Sequence, residues 1–267
     1  MLGSTRSLGV EIGERSLTLV ELRKTGDTHE VMQAARLAMP ADSAPQQIAR
    51  ALDDFLGDTR TAPAPLALAF PAHQCALKFA QVPAAKGAEQ AKLLHYEAMS
   101  QIPLPLAEMV WDYQAHHAVN PGLCEVMIAA IRRAQVTELL DALAASAIKP
   151  GNLGVSLPAS ARALPAAQLD REACLLVQVE ETWTDIALLT GERICAARSQ
   201  RIGISELREA LIRDLQAPEA EAGQLLETRG VERIDGVDAP GVCAWLDRLA
   251  QAIHQAAESM SVSGAHA

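Results

Sequence analysis

Apolar residues in the first part of the chain come in short runs separated by glycine-containing turns. The runs "SLGVEIG", "SLTLVELRK" and "EVMQAARLAM" are joined by "GERS" and "KTGDT", a pattern that predicts a three-stranded meander. Ile48, Leu52 and Phe55 then recur at helical spacing, with Gly57 as a C-terminal cap. The predicted elements are strands at 7–13, 16–24, 30–39 and 65–71 and a helix at 45–57.

A second pattern occupies the middle of the chain, where strand-like runs alternate with two helical stretches. Pro103 and Pro105 require the first of these helices to stop before them, because proline cannot continue a helix. Val136, Leu139 and Leu143 mark the inward face of the second helix. The order is β-α-β-β-α, with a strand at 77–83, a helix at 86–101, strands at 108–119 and 124–133, and a helix at 134–146.

The last part of the chain repeats the opening pattern of three strands followed by a helix. The turn "TGER" makes a hairpin of the second and third strands. After a polar stretch, Trp245, Leu249, Ile253 and Ala256 form one stripe of a final helix. Two similar α/β halves are typical of a two-lobed protein. The predicted strands lie at 173–181, 183–191 and 192–202, and the helices at 203–215, 219–230 and 241–259.

Composition and charge argue against several classes of function. The 267 residues carry a formal net charge of −10, which argues against nucleic-acid binding and against charge-driven docking on anionic lipid. Five widely spaced cysteines indicate buried, reduced thiols in a cytosolic protein. The histidines form no metal-binding motif, and neither a signal sequence nor a transmembrane run is visible. We therefore expect a cytoplasmic protein without a metal site.

Four stretches of the sequence resemble a known family. They are "LGVEIGERSLTLVEL" at 8–22, "HYEAMSQIPLPLAEMVWDYQ" at 95–114, "EVMIAAIRRAQVTELLDALAASAIKP" at 125–150 and "RSQRIGISELREAL" at 198–211. Together they are similar to the PilM family of type IV pilus assembly proteins, which belongs to the actin-like superfamily and is itself similar to the cell-division protein FtsA. The second stretch is the most specific, and the resemblance extends over nearly the whole chain.

The resemblance implies an α/β fold of the actin-like type, which is a duplicated ribonuclease H-like fold with an inserted β-α-β-β-α subdomain. It also implies that the C-terminal part of the second half is missing, because the family continues into a further strand and a "GG" motif. The expected domains are a first actin-like subdomain at 1–76 plus 151–170, the inserted subdomain at 77–150, an incomplete second half at 171–258 and a flexible tail at 259–267.

The resemblance also implies a role. Proteins of this family form a cytoplasmic part of the inner-membrane platform that assembles the pilus. They bind the N-terminal tail of PilN, a bitopic membrane protein, in a groove between the first and inserted subdomains, and are said to bind ATP in the cleft. We therefore expect a scaffold that meets the membrane only through its partners, PilN and other platform proteins.

The first of two phosphate-binding hairpins is partly retained. Gly13 remains at its turn, while Glu11 stands where the family has aspartate and Arg15 brings a positive charge. Glycine lets backbone amides approach phosphates, and acidic side chains hold Mg²⁺. Glu11, Gly13, Arg15 and Ser16 are thus the candidate residual nucleotide-binding residues.

The second hairpin has lost the residue types that a phosphate needs. By the resemblance, Gln178 replaces an aspartate and Glu180 replaces a glycine, while Glu181 and Trp183 follow. Carboxylates at this position would repel a phosphate. No lysine follows Lys149 to serve the adenosine side of the site. We therefore expect a pseudo-ATPase with no catalytic residue and no cofactor.

Two alternatives remain open at the level of the sequence. One is a working ATPase that uses ATP and Mg²⁺ with unusual loops, and the other is the cytoplasmic domain of a type II secretion L protein. The peptide groove is expected to take residues from 77–119, although Ile102, Leu104 and Leu106 are interpreted as core. Asp112 and Tyr113 match the sequence pattern of the family, and no chemical role is assigned to them.

Overall fold

The computed structural model describes residues 5–59, 64–117, 122–164, 173–216, 218–229 and 239–265. Contacts between residues divide the chain into two compact units, 1–168 and 169–267. No helix within those described segments is both long and apolar enough to cross a lipid bilayer.

The first unit is built on a five-stranded sheet. Its strands are β1 (Thr5–Ile12), β2 (Ser16–Thr25), β3 (Thr28–Ala38), β4 (Leu66–Phe70) and, after an insertion, β8 (Asn152–Val155). They lie in the order β3-β2-β1-β4-β8, with the first three antiparallel and β1, β4 and β8 parallel to one another. This arrangement is that of an actin-like half, so the predicted fold class is confirmed.

Alternating side chains on β1 and β2 face one side of this sheet and build its core. Leu8 and Val10 of β1 and Leu17 and Leu19 of β2 are almost fully buried, as strand periodicity requires. Two helices cover them, α1 (Pro45–Thr59) and α3 (Arg133–Ala145). The short helix α4 (Ser156–Ala163) follows β8 and anchors its start through Ser156, whose hydroxyl accepts a hydrogen bond from the amide after Pro71.

Both covering helices differ from their predictions. Helix α1 continues to Thr59, so Gly57 lies within its last turns and does not cap it. Helix α3 packs its apolar stripe, including Val136 and Leu143, against α1 and the first sheet. The predicted inserted subdomain at 77–150 had included this helix, whose packing places it with the first core.

The insertion forms a second sheet from β5 (Ala76–Pro83), β6 (Met109–His117) and β7 (Leu123–Arg132), in the order β5-β7-β6. Helix α2 (Ala88–Gln101) packs on it and ends before Pro103, as predicted. Ile102 is buried, and Leu104 and Leu106 pack against the same cluster. The interpretation of Ile102 as a core residue is therefore confirmed, while Leu104 and Leu106 lie partly buried at the margin of that core.

The described residues of the second unit form a three-stranded sheet and three helices. Its elements are β9 (Cys174–Val179), β10 (Thr184–Thr190), β11 (Arg193–Gln200), α5 (Ile204–Leu215), α6 (Glu219–Arg229) and α7 (Pro240–Ala265). The sheet has the order β11-β10-β9, and all its pairs are antiparallel. Trp245 of α7 packs with α5, while Ile253 and Ala256 cover the sheet.

Two features of the second unit differ from the predictions. The last helix was predicted to end at 259, whereas α7 continues to Ala265, because Met260 extends its apolar stripe and is buried beside Ile186; the flexibility of the tail at 259–267 stays a prediction. Cys243 is exposed rather than buried, since it points away from the Trp245 side of the helix. The other four cysteines are only half-buried.

Candidate functional site

The first hairpin, between β1 and β2, brings the candidate nucleotide residues together. The amide of Gly13 donates to the carbonyl of Ser16 at 2.8 Å, and a Cβ at Gly13 would lie only 3.0 Å from that oxygen. Arg15 is exposed at the tip, and Glu11 is half-buried at the end of β1. The turn thus needs its glycine for its own closure, and nucleotide binding by these residues stays a prediction.

A histidine that the sequence did not point to belongs to this hairpin. His73 Nε2 lies 3.2 Å from the Glu14 carboxylate, and both side chains are largely buried. Glu14 follows β1 and His73 follows β4, and the two strands are parallel neighbours. Because the carboxyl ends of parallel neighbours meet at one edge of a sheet, this contact required the strand order to be known.

The second hairpin, between β9 and β10, engages its own acidic side chains. Gln178 Nε2 donates to a carboxylate oxygen of Glu180 at 2.5 Å. Arg208, one turn into α5, donates to the two carboxylate oxygens of Glu181 at 2.7 and 3.4 Å. The carboxylates of Glu180 and Glu181 therefore both have hydrogen-bond partners in the protein.

The backbone of the same hairpin closes onto the start of α5. The amides of Ile204 and Ser205, the first two of the helix, donate to the carbonyls of Glu180 and Glu181, both at 2.9 Å. A Cβ at Gly203 would lie 2.3 Å from the Glu181 carbonyl oxygen, so only glycine permits this approach. Amides at a helix N-terminus are the usual donors to a bound anion, and here they serve the hairpin.

This hairpin and α5 in turn hold the last helix. Trp245 Nε1 donates to the carbonyl of Gly203 at 2.9 Å. The buried carboxylate of Asp214, at the end of α5, accepts hydrogen bonds from the amides of Gly241 and Val242 at 2.7 and 3.1 Å. We call the linked contacts of Glu181, Gly203, Arg208 and Trp245 the α5 clasp.

The hydrogen-bond donors of the α5 clasp are directed at the hairpin, and the expected loss of nucleotide binding stays a prediction. A bound phosphate needs amides and cations that face it. Here the amides of Ile204 and Ser205 and the guanidinium of Arg208 already bind the hairpin. In the described part of the chain, no three His, Cys, Asp or Glu side chains lie close enough together to hold a metal ion.

A groove of about 410 Å³ lies within the first unit, between the two sheets. Strand β6 is the outermost strand of the inserted sheet, and β8 is the outermost strand of the first sheet. Tyr113 on β6 and Leu153 on β8 are 42% and 40% exposed there, although side chains of this size are usually covered. The groove is lined by Phe70, Cys75, Val110, Trp111, Asp112, Tyr113, Gln114, Met127, Ala129, Ala130, Ile131, Leu153, Gly154, Val155, Pro158, Ala159 and Arg162.

Asp112 has a defined role at this groove. Its carboxylate accepts a hydrogen bond from the backbone amide of Tyr113 at 2.8 Å. The Asp112 side chain therefore binds the backbone of its own strand, β6. Arg133 holds the start of the same strand by donating to the carbonyls of Ala107 and Met109 at 3.0 and 2.7 Å. The family marker thus shapes the edge of a strand that faces the groove.

The predicted range 77–119 supplies only one wall of this groove. The opposite wall comes from β8 and α4, through residues such as Leu153, Ala159 and Arg162. Sequence reasoning missed them because they lie about forty positions from β6 in the chain. Only the return of β8 to the first sheet places them opposite β6.

Both the sequence and the fold of this chain are similar to known proteins. The sequence model of the family described as type IV pilus assembly protein PilM matches residues 9–257. Among solved structures, a PilM–PilN type IV pilus biogenesis complex is similar, with a TM-score of 0.77 and 25% identity over 96% of this chain and 77% of the other.

Two further structures show weaker likeness. The cytoplasmic domain of EpsL, an inner-membrane component of the Vibrio cholerae type II secretion system, has a TM-score of 0.48 and 13% identity over 80% of this chain and 78% of its own. The ethanolamine utilization protein EutJ from Carboxydothermus hydrogenoformans has a TM-score of 0.45 and 13% identity over 83% of this chain and 61% of its own. The family match, which covers nearly the whole chain, identifies this protein as a member of the PilM family of type IV pilus assembly proteins.

Proposed function

We propose that this protein is an adaptor of the type IV pilus assembly platform that holds the N-terminal tail of a PilN-like membrane protein in the groove between β6 and β8. It works on the cytoplasmic face of the inner membrane and reaches the membrane through this partner. The groove is the observation that supports this proposal most directly. The chain also resembles the PilM–PilN complex over 96% of its length.

The groove has the properties that an extended peptide requires. Its volume of about 410 Å³ falls within the range of about 300–1,000 Å³ typical of ligand pockets. An outermost strand offers backbone hydrogen-bonding groups to an added strand, and apolar pockets beside it select the side chains. Here β6 supplies the edge, and Val110, Ile131 and Phe70 supply apolar lining.

Filling the groove tests this function directly. Ala159 is exposed on α4 and lines the groove, so Ala159→Trp blocks it without removing a core contact. Titration calorimetry with the N-terminal peptide of the PilN encoded in the same genome should give a micromolar or tighter dissociation constant for the wild type. We expect at least tenfold weaker binding for the variant.

The matched control is Ala144→Trp, on an exposed position of α3 that is not a groove residue. It should bind the peptide as the wild type does. The absence of peptide binding to the wild type, or equal weakening by both substitutions, contradicts the proposed function. Circular dichroism melting of both variants checks that neither one is unfolded.

We further propose that the protein performs this role without ATP. The α5 clasp supports the idea, because Arg208 and the first amides of α5 bind the hairpin where the family places a phosphate. Partners for Glu181 and Glu180 within the protein make the acidic hairpin stable as it is. The result is a fold that needs no bound anion at this position.

Thermal unfolding with Mg·ATP tests this second point. A ligand present at 100 times its dissociation constant adds about 2.7 kcal/mol to stability, which shifts the melting temperature of a protein of this size by several degrees. We expect no shift at millimolar Mg·ATP. A reproducible stabilisation by Mg·ATP, but not by Mg²⁺ or by ATP with EDTA, would favour the alternative of an ATP-binding protein.

A further inference from the structure

The two walls of the groove belong to different sheets. Strand β6 is the outermost strand of the inserted sheet, and β8 is the outermost strand of the first sheet. Within the described residues, the chain passes between these sheets at two places, from β4 to β5 through 71–75 and from β7 directly into α3 at Arg132 and Arg133. The spacing of the two walls is therefore set where the inserted sheet is attached to the first core.

Arg133 lies at the second of these crossings. It is the first residue of α3, which packs on the first core, and β7 ends at the residue before it. Its guanidinium reaches the inserted sheet, where Nε donates to the Ala107 carbonyl at 3.0 Å and Nη2 donates to the Met109 carbonyl at 2.7 Å. One side chain thus joins an element of the first core to the start of β6.

This contact lies immediately before the part of β6 that lines the groove. Met109 is the first residue of β6, and the lining begins at Val110 and continues through the next four residues. Lining by five consecutive residues involves the backbone of the strand as well as its side chains, because alternate side chains face opposite sides of a sheet. A shift at Met109 would therefore move one whole wall of the groove.

The chemistry of arginine suits it to fixing a strand in place. Val110 packs against the first core, but apolar contacts have no preferred direction. The guanidinium is planar and holds its donors in a rigid fork, so that hydrogen bonds to two carbonyls fix a position along the strand as well as a distance. The stability of α3 does not account for this residue, since the helix dipole disfavours a cation in the first turn.

We propose that Arg133 is a positioning residue for peptide binding, which holds the β6 wall at the distance from β8 and α4 that an extended peptide requires. This inference rests on the proposed function, since it takes the peptide in the groove as given. Arg133 does not line the groove and acts through β6. Without its two hydrogen bonds, part of the binding free energy must first order the strand, which lowers the affinity.

Two substitutions at Arg133 and one at its neighbour test the inference by titration calorimetry with the N-terminal peptide of the PilN encoded in the same genome. Arg133→Met removes both hydrogen bonds, and we expect about three- to tenfold weaker binding. Arg133→Lys keeps the charge without the rigid fork and should bind with intermediate affinity. Arg132→Met is the matched control, because Arg132 is adjacent, exposed and of the same charge, and it should bind as the wild type does.

Hydrogen exchange of the protein without peptide separates positioning from direct contact. In Arg133→Met the amides of 107–114 should exchange faster than in the wild type, while those of β1 and β2 should be unchanged. The melting temperature should change by less than about 2 °C. A residue that only touched the peptide would leave this exchange unaltered, and a residue that supported the fold in general would change both sheets.

Several results would overturn the inference. These are unchanged exchange at 107–114 in Arg133→Met, peptide binding equal to that of the wild type, equal weakening by Arg132→Met, and a loss of stability that speeds exchange in both sheets. Each of them leaves the proposed function standing as long as the wild type binds the peptide. If the wild type does not bind the peptide, the proposed function fails and the inference fails with it.

Discussion

Arg208 donates to both carboxylate oxygens of Glu181, at 2.7 and 3.4 Å, and so joins α5 to the hairpin between β9 and β10. The Glu181 side chain is 10% exposed and that of Arg208 is 26% exposed, which shields the pair from solvent. The hydrogen bond to Glu181 raises the pKa of Arg208, against an opposing effect of burial, and the negative charges of Glu181 and Glu219 add to the rise. The carboxylate of Glu181, which the sequence analysis expects to repel a phosphate, thus joins the hairpin to α5.

Removing either partner of this pair should destabilise the second unit. Glu181→Gln and Arg208→Met are each expected to lower the free energy of unfolding by about 1–3 kcal/mol, because each leaves a shielded charge without its partner. The double variant should cost less than the sum, by about 0.5–3 kcal/mol. Urea unfolding followed by tryptophan fluorescence measures all three.

The pH dependence of this pair follows from the direction of the shift. A raised pKa in the folded state means that the contribution of Arg208 is fully present below the usual pKa of arginine and is lost only as pH rises through the higher folded value. The stability difference between wild type and Arg208→Met should therefore not depend on the titration of Arg208 between about pH 6 and pH 9.

The double-variant cycle of Glu181→Gln and Arg208→Met also tests the α5 clasp itself. A coupling energy near zero in that cycle would contradict the clasp.

Gly203→Ala should be among the most damaging substitutions in the chain. The added Cβ would meet the Glu181 carbonyl at 2.3 Å and the Cα of Thr182 at 2.4 Å, both of them backbone atoms that cannot move alone. We expect a loss of about 3 kcal/mol or more. The control is Gly57→Ala in α1, where nothing lies within 4 Å and a gain of about 0.5–1 kcal/mol is expected. Equal effects at the two glycines would disprove the close approach.

The carboxylate of Asp214, at the end of α5, should cap the N-terminus of α7. Asp214→Ala removes the acceptor of the Gly241 and Val242 amides and the charge that favours a helix N-terminus. We expect a loss of about 1–2 kcal/mol and faster amide exchange in the first turn of α7. Asp247→Ala, exposed on the same helix, should change stability by less than about 0.5 kcal/mol.

Restoring the family residues of the second hairpin should not by itself restore a nucleotide site. In Gln178→Asp combined with Glu180→Gly, the carboxylate of Glu181 remains bound to Arg208, and the first amides of α5 remain bound to the hairpin. Melting of this variant should be unaffected by millimolar Mg·ATP. A stabilisation found in the variant and not in the wild type would show that the two side chains alone exclude the nucleotide.

Local chemistry accounts for what could be predicted. Alternation of apolar residues placed the core sides of β1 and β2, and Pro103 stopped α2 where expected. The same reasoning misjudged Gly57, because α1 continues two residues past this glycine to Thr59. It also stopped α7 too early, since Met260 continues the stripe past a polar stretch.

The sequence by itself determined the α/β class, nearly all of the elements and the family, because these depend on periodicity and on residues that are close together in the chain. Only the tertiary structure decided which distant groups meet: His73 with Glu14, Trp245 with Gly203, and β6 across a groove from β8. Such contacts depend on strand order and helix packing, which local preferences do not encode. For that reason the acidic hairpin could be recognised as unusual from the sequence, whereas its partner Arg208 could not.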